Sequence, residues 1–86
     1  PIILERRPVE LTIQLPVGSK AGEYEFQLRR EGQPVVSTSA TAAILEGSTT
    51  FRMRLDLSKL TPGMYSMYVR QVPWDWNYYP VELRAD

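Results

Sequence analysis

Eighty-six residues fit one domain, 1–86, with a single core, and a chain this short buries only about 60–65% of the surface its unfolded form exposes. Ten basic and ten acidic residues cancel, which argues against a nucleic-acid binder, because phosphate contacts need a clustered basic excess. The absence of cysteine and histidine removes disulfides, thiolate metal sites, the commonest zinc ligand and the usual general base near neutral pH.

In chain order, Ile2-Ile3-Leu4 opens a short edge strand over 2–6, which Pro8 closes because it lacks the N–H a ladder needs. Val9 to Leu15 alternates cleanly, with Val9, Leu11, Ile13 and Leu15 on one face and Glu10, Thr12 and Gln14 on the other, so it reads as a strand with one buried face. Pro16 to Gly22 has turn composition and no period. Glu23 to Arg30 alternates again with Tyr24, Phe26 and Leu28 inward, and Glu31-Gly32-Gln33-Pro34 is a hairpin signal. Residues 35–40 form a weaker strand whose small polar side chains suit a sheet edge. Residues 41–47 are too short for an independent helix and are expected to cross between two sheets. Phe51, Met53, Leu55 and Leu57 mark the next strand, and Tyr65, Met67 and Val69 the one after it, over 63–72. A loop over 73–77 leads to a last strand at 78–84, where Pro80 predicts a bulge or late pairing.

Six or seven short strands, turn signals every 8–12 residues and no helix predict an all-β fold, a small antiparallel β-sandwich of immunoglobulin or fibronectin type, with a small barrel as the alternative. The pivot is Leu60-x-Pro62-Gly63-x-Tyr65. Pro62 presets φ, Gly63 frees the backbone, and Tyr65 is placed to bury its ring while its hydroxyl returns to the backbone near the corner.

These motifs, with Pro8-Val9-Glu10-Leu11-Thr12-Ile13-Gln14-Leu15-Pro16 before them and Pro80-Val81-x-Leu83 after, resemble the C-terminal extracytoplasmic domain of membrane-anchored zinc-finger anti-sigma factors of bacteria. The resemblance implies an immunoglobulin-like fold, a location outside the cytoplasm and a protein partner. It carries no functional residue across, since the family's cytoplasmic His and Cys ligands and its transmembrane helix have no counterpart here. The missing initial methionine suggests a segment of a longer chain. No apolar run approaches the ~20 residues of a membrane-spanning helix, so this domain is not expected to insert into a membrane by itself.

The conspicuous surface candidate is Trp74-Asp75-Trp76-Asn77-Tyr78-Tyr79. Exposed tryptophans and tyrosines beside amides and carboxylates stack on sugars or anchor protein interfaces. Trp74, Asp75, Trp76 and Tyr78 are therefore the candidate interaction surface, although at least one indole is expected to fold back over the end of the sandwich. Catalysis is not expected: no nucleophile has a base, and the carboxylates sit beside arginines at outward strand positions. Asp75 and Asn77 alone are too few oxygen ligands for calcium, so no cofactor or metal is expected. Arg29, Arg30, Arg52, Arg54, Arg70 and Arg84 could line sheet faces and bind an acidic partner, but zero net charge and interleaved acids favour a solvated face. The sequence thus points to a non-enzymatic, extracytoplasmic module for protein interaction. The competing readings are a carbohydrate-binding module using the aromatic loop, and a pilus or secretion component pairing through its 35–40 edge.

Overall fold

Residues 2–72 and 74–85 are described by the computed structural model, and among them seven strands and no helix occur. The strands are β1 (Ile2–Glu5), β2 (Pro8–Gln14), β3 (Gly22–Arg30), β4 (Gln33–Leu45), β5 (Ser48–Asp56), β6 (Gly63–Gln71) and β7 (Asn77–Arg84). Hydrogen bonding links them in the order β1-β7-β6-β3-β4-β5-β2. One layer holds β1, β7, β6, β3 and β4 as far as Ala42; the other holds β2, β5 and β4 from Ala43 onward. The fold is all-β as the periodicity predicts. Because β4 belongs to both layers, it comes close to a barrel rather than two separate sheets.

Two features correct the expectations. The fold is not wholly antiparallel, since β1 runs parallel to β7, Ile2 opposite Val81 and Glu5 opposite Arg84. The cause is the short link at Arg6 and Arg7: the chain must finish β1 at the end where β2 begins its ascent beside β5, and β7 runs toward that same end. The second feature is β4, which is one continuous strand instead of a weak strand at 35–40 followed by an irregular crossover. It pairs with β3 through Ala42 and then with β5 from Ala43, so the strand itself makes the crossing. It turns into β5 at Glu46 (φ 50°) and Gly47 (φ 81°), a two-residue hairpin of the same kind as Glu31 (φ 52°) and Gly32 (φ 79°).

The two halves of the chain repeat one another. Val9, Leu11, Ile13 and Leu15 correspond to Phe51, Met53, Leu55 and Leu57. Gly22, Tyr24, Phe26, Leu28 and Arg29 correspond to Gly63, Tyr65, Met67, Val69 and Arg70. The register repeats as well: Gly22 lies opposite Ala42 and Tyr24 opposite Ala40, just as Gly63 lies opposite Leu83 and Tyr65 opposite Val81. Gln27 and Tyr68 are equivalent positions that also face each other across β3 and β6, so the pseudo-twofold axis passes between them.

The inward residues fill one core. Phe26, Leu28, Val81 and Leu83 from one layer meet Phe51 and Leu57 from the other, all nearly fully buried, and Tyr24 stacks on Phe51 across the layers at 5.9 Å. Pro80 sits opposite Ser66 in an unbroken β6–β7 register, and β7 is paired on its other side only from Val81 onward.

Candidate functional site: an arginine–aromatic face

Alternation along β6 puts Tyr65, Met67 and Val69 in the core and leaves Ser66, Tyr68 and Arg70 on the outer face. Tyr68 lies between Gln27 of β3 and Tyr78 of β7 in the register. Its ring stacks on Tyr78 (5.5 Å, 27° between planes) and receives the edge of Trp76 (6.2 Å, 85°). The Arg29 guanidinium lies 4.0 Å from the centre of the Tyr68 ring and 5.2 Å from that of Trp76, and the Arg70 guanidinium 4.5 Å from the centre of the Trp76 ring. Each such contact contributes about 0.5–1 kcal/mol at a solvated site.

Both arginines are held in turn. Arg29 Nε donates to Gln27 Oε1 at 2.7 Å. Arg70 Nη2 and Nε both reach Glu25 Oε1, at 2.8 and 2.9 Å. Among the described residues Arg29 has no carboxylate within salt-bridge distance, so its charge is open to a ligand. Tyr78 is 66% exposed on this braced platform.

The aromatic run is divided by the fold. Trp76 and Tyr78 join the outer face, and Trp76 is half-buried there against Tyr68 and the arginines instead of over the end of the sandwich. Trp74 (68% exposed) and Asp75 leave that face and line a cleft of about 300 Å³ at the end of the fold, together with Ser19, Lys20, Asn77 and Tyr79. A turn in which Trp74 N–H donates to the Gln71 carbonyl at 2.7 Å directs the chain there. Pro73, the first residue of the expected loop, lies outside the described residues. The sequence reading missed Tyr68 and, for Arg29 and Arg70, preferred a solvated face to an acidic partner. The available signal was an aromatic at an outward position of β6 between strands that bring an arginine and a second aromatic alongside.

The corner residues meet as a structural unit. Tyr65, 4% exposed, donates its hydroxyl to the Thr61 carbonyl at 2.6 Å and accepts from Arg30 Nη1 at 3.0 Å. Arg30 also donates to the Thr61 carbonyl at 3.2 Å. Gly63 has φ 144°, and a Cβ there would lie 2.9 Å from Arg30 Nη2. Leu60 packs on the edge of the core, and its N–H donates to the Leu57 carbonyl at 3.2 Å. Just before the corner, Asp56 accepts from the Ser58 hydroxyl and N–H, which hold its carboxyl below the usual carboxylate range. Arg84 does the same for Glu82 at the far end of β7.

Among the described residues no three acidic side chains gather to hold a metal ion, and no helix is long and apolar enough to cross a membrane. No family model, curated protein or solved structure matches the chain.

Proposed function

We propose that the protein is a non-catalytic, extracytoplasmic interaction module that holds a protein partner on the outer face of β3, β6 and β7, as the outer domain of an anti-sigma factor would. The observation that carries this reading is Tyr78, two-thirds exposed on rings and guanidinium groups that are already fixed. A preordered aromatic and a braced arginine lose little entropy on binding and are typical interface anchors. The uncompensated Arg29 favours a partner that brings a carboxylate to the platform. The location and the anti-sigma assignment rest on the sequence motifs alone.

A photo-crosslinking residue at Ser66 on the same outer face, with one at Arg52 on the opposite layer as control, tests the face in cells secreting the domain. A protein adduct specific to position 66, lost in Arg29→Ala, supports the reading; equal labelling from both positions refutes it.

The cleft beside Trp74 favours a second reading. An exposed indole with Asp75, Asn77 and Lys20 has the chemistry of a sugar subsite. Quenching of tryptophan fluorescence on a glycan, lost in Trp74→Ala and kept in Tyr78→Ala, selects that function instead.

A further inference from the structure

Alternation along β3 brings Glu23, Glu25, Gln27 and Arg29 into one column on its outer face, and Gln27 is where the acidic series stops. Across from Gln27 on β6 lies Tyr68. The residues opposite Arg29 are Ser66 on β6 and Pro34 on β4, so neither neighbouring strand sets a charge against that arginine.

The internal repeat supplies the comparison. Arg29 and Arg70 occupy equivalent positions, and each guanidinium lies over a ring of the second half, yet they are held differently. Glu25 accepts from both Nε and Nη2 of Arg70 and compensates its charge. Gln27 accepts from Arg29 Nε alone, at 2.7 Å, and compensates nothing. A guanidinium donates only in its own plane. With one face on the Tyr68 ring at 4.0 Å and Nε engaged, the two Nη groups are what Arg29 offers a ligand.

We propose that Gln27 is the specificity-determining residue of the arginine–aromatic face: it orients Arg29 without neutralising it, and so selects a partner that brings a carboxylate into the plane of that guanidinium, alongside the Tyr68 ring. This rests on the outer face of β3, β6 and β7 being the partner's site, and it names the residue that keeps the site cationic. With Arg70 compensated by Glu25, Arg29 is the open cation beside Tyr68 and Trp76, and a third glutamate in the column would close it as Glu25 closes Arg70.

Two substitutions separate charge from bracing. Gln27→Glu keeps the shape of the brace and strengthens it but cancels the charge, whereas Gln27→Ala keeps the charge and drops the brace. In the purified domain, acetate replaces chloride at constant ionic strength while the side-chain N–H resonances of the arginines are followed. The Arg29 resonances should move in the parent and those of Arg70 should stay. Gln27→Ala should keep a weaker response, and Gln27→Glu should lose it. Bracing alone gives the reverse order, with Gln27→Glu at least as responsive as the parent, and that order overturns the proposal. Should Gln27→Glu fail to fold, Ser66→Asp, which brings a carboxylate to Arg29 from β6, replaces it in the titration. In cells, the adduct from position 66 should fall at least about tenfold in Gln27→Glu. An undiminished adduct overturns the role of Gln27 and leaves the partner standing; the expected acetate order with no adduct in the parent removes the partner and upholds the carboxylate selectivity set by Gln27.

Discussion

Removing the Tyr65 hydroxyl isolates the corner from the packing of its ring. In Tyr65→Phe the ring stays buried, while the bond to the Thr61 carbonyl and the one from Arg30 disappear. A neutral hydrogen bond contributes about 1 kcal/mol net and one to a charged group somewhat more, so the loss should be about 2 kcal/mol. It is not larger, because Arg30 still donates to the Thr61 carbonyl. The pseudo-twofold supplies an internal control. Tyr24 donates to the Lys20 carbonyl at 2.8 Å, and Gln71, standing where Arg30 stands, donates to the Ala21 carbonyl and not to the phenol. Tyr24→Phe should therefore cost about 1 kcal/mol. In a domain of this size each kcal/mol lowers the melting temperature by about 4–8 °C, so the two variants separate clearly in urea or thermal unfolding followed by tryptophan fluorescence. Equal losses, or a Tyr65→Phe loss below about 0.5 kcal/mol, would show that ring burial alone holds the corner.

Gly63→Ala should cost about 1–3 kcal/mol, because φ 144° is a region open essentially to glycine and the new Cβ also displaces Arg30; urea midpoints measure it. Tyr78→Ala should cost only the stack on Tyr68, about 0.5–1.5 kcal/mol, while weakening partner binding at least about tenfold, a separation read by calorimetry and by crosslinking yield. The folded-state pKa of Asp56 is depressed, so its contribution is present above the unfolded value and is lost as pH falls through and below about 4. Thermal scans from pH 7 to 3 should show a shallower acid decline in Ser58→Ala than in the parent. Iodide should quench Trp74 readily and Trp76 poorly, and Trp74→Phe should remove the accessible fraction.

The strands that were legible in the sequence are those in which one buried face forces strict alternation. β2, β3, β5 and β6 show it because an apolar residue stands at every second position against the shared core. β4 hides its length because only Ala42 in it is fully buried, and Ser, Thr and Ala carry little periodic signal. Its turn into β5 repeats the Glu-Gly pair already recognised at residues 31 and 32, and lacked only the long strand behind it to be read as a hairpin. The parallel placement of β1 depends on which layer each end of a two-residue link must reach, and no local pattern encodes that. The candidate face was half visible. Trp76 and Tyr78 stand out by composition, whereas joining them to Tyr68, Arg29 and Arg70 needs the register of three strands.

The repeat separates what the scaffold requires from what one half alone has. On the inner face the halves agree in kind: Tyr24 with Tyr65, Phe26 with Met67, Leu28 with Val69, Ala40 with Val81. On the outer face they diverge. Where the second half has Tyr68, Trp76 and Tyr78, the first has Gln27, Val35 and Ser37 by position in the repeat; Gln27 pairs with Ser37 as Tyr68 pairs with Tyr78, whereas Val35 lies at the β3–β4 bulge and Trp76 just ahead of β7. Arg29 and Arg70 are common to both halves, yet both turn toward the rings of the second half. The rings of Tyr68 and Tyr78, which the first half does without at Gln27 and Ser37, are poorly explained as packing, since each leaves apolar surface in water that a serine or glutamine would not. Exchanging all three aromatics for their first-half counterparts, Tyr68→Gln, Trp76→Val and Tyr78→Ser together, is thus the sharpest separation of scaffold from function. The triple variant should stay folded, losing roughly the 2–4 kcal/mol of its stacking and cation–π contacts. It should also lose the crosslinked partner altogether. A variant that unfolds would return the rings to the scaffold, and one that keeps its partner would move binding to another surface.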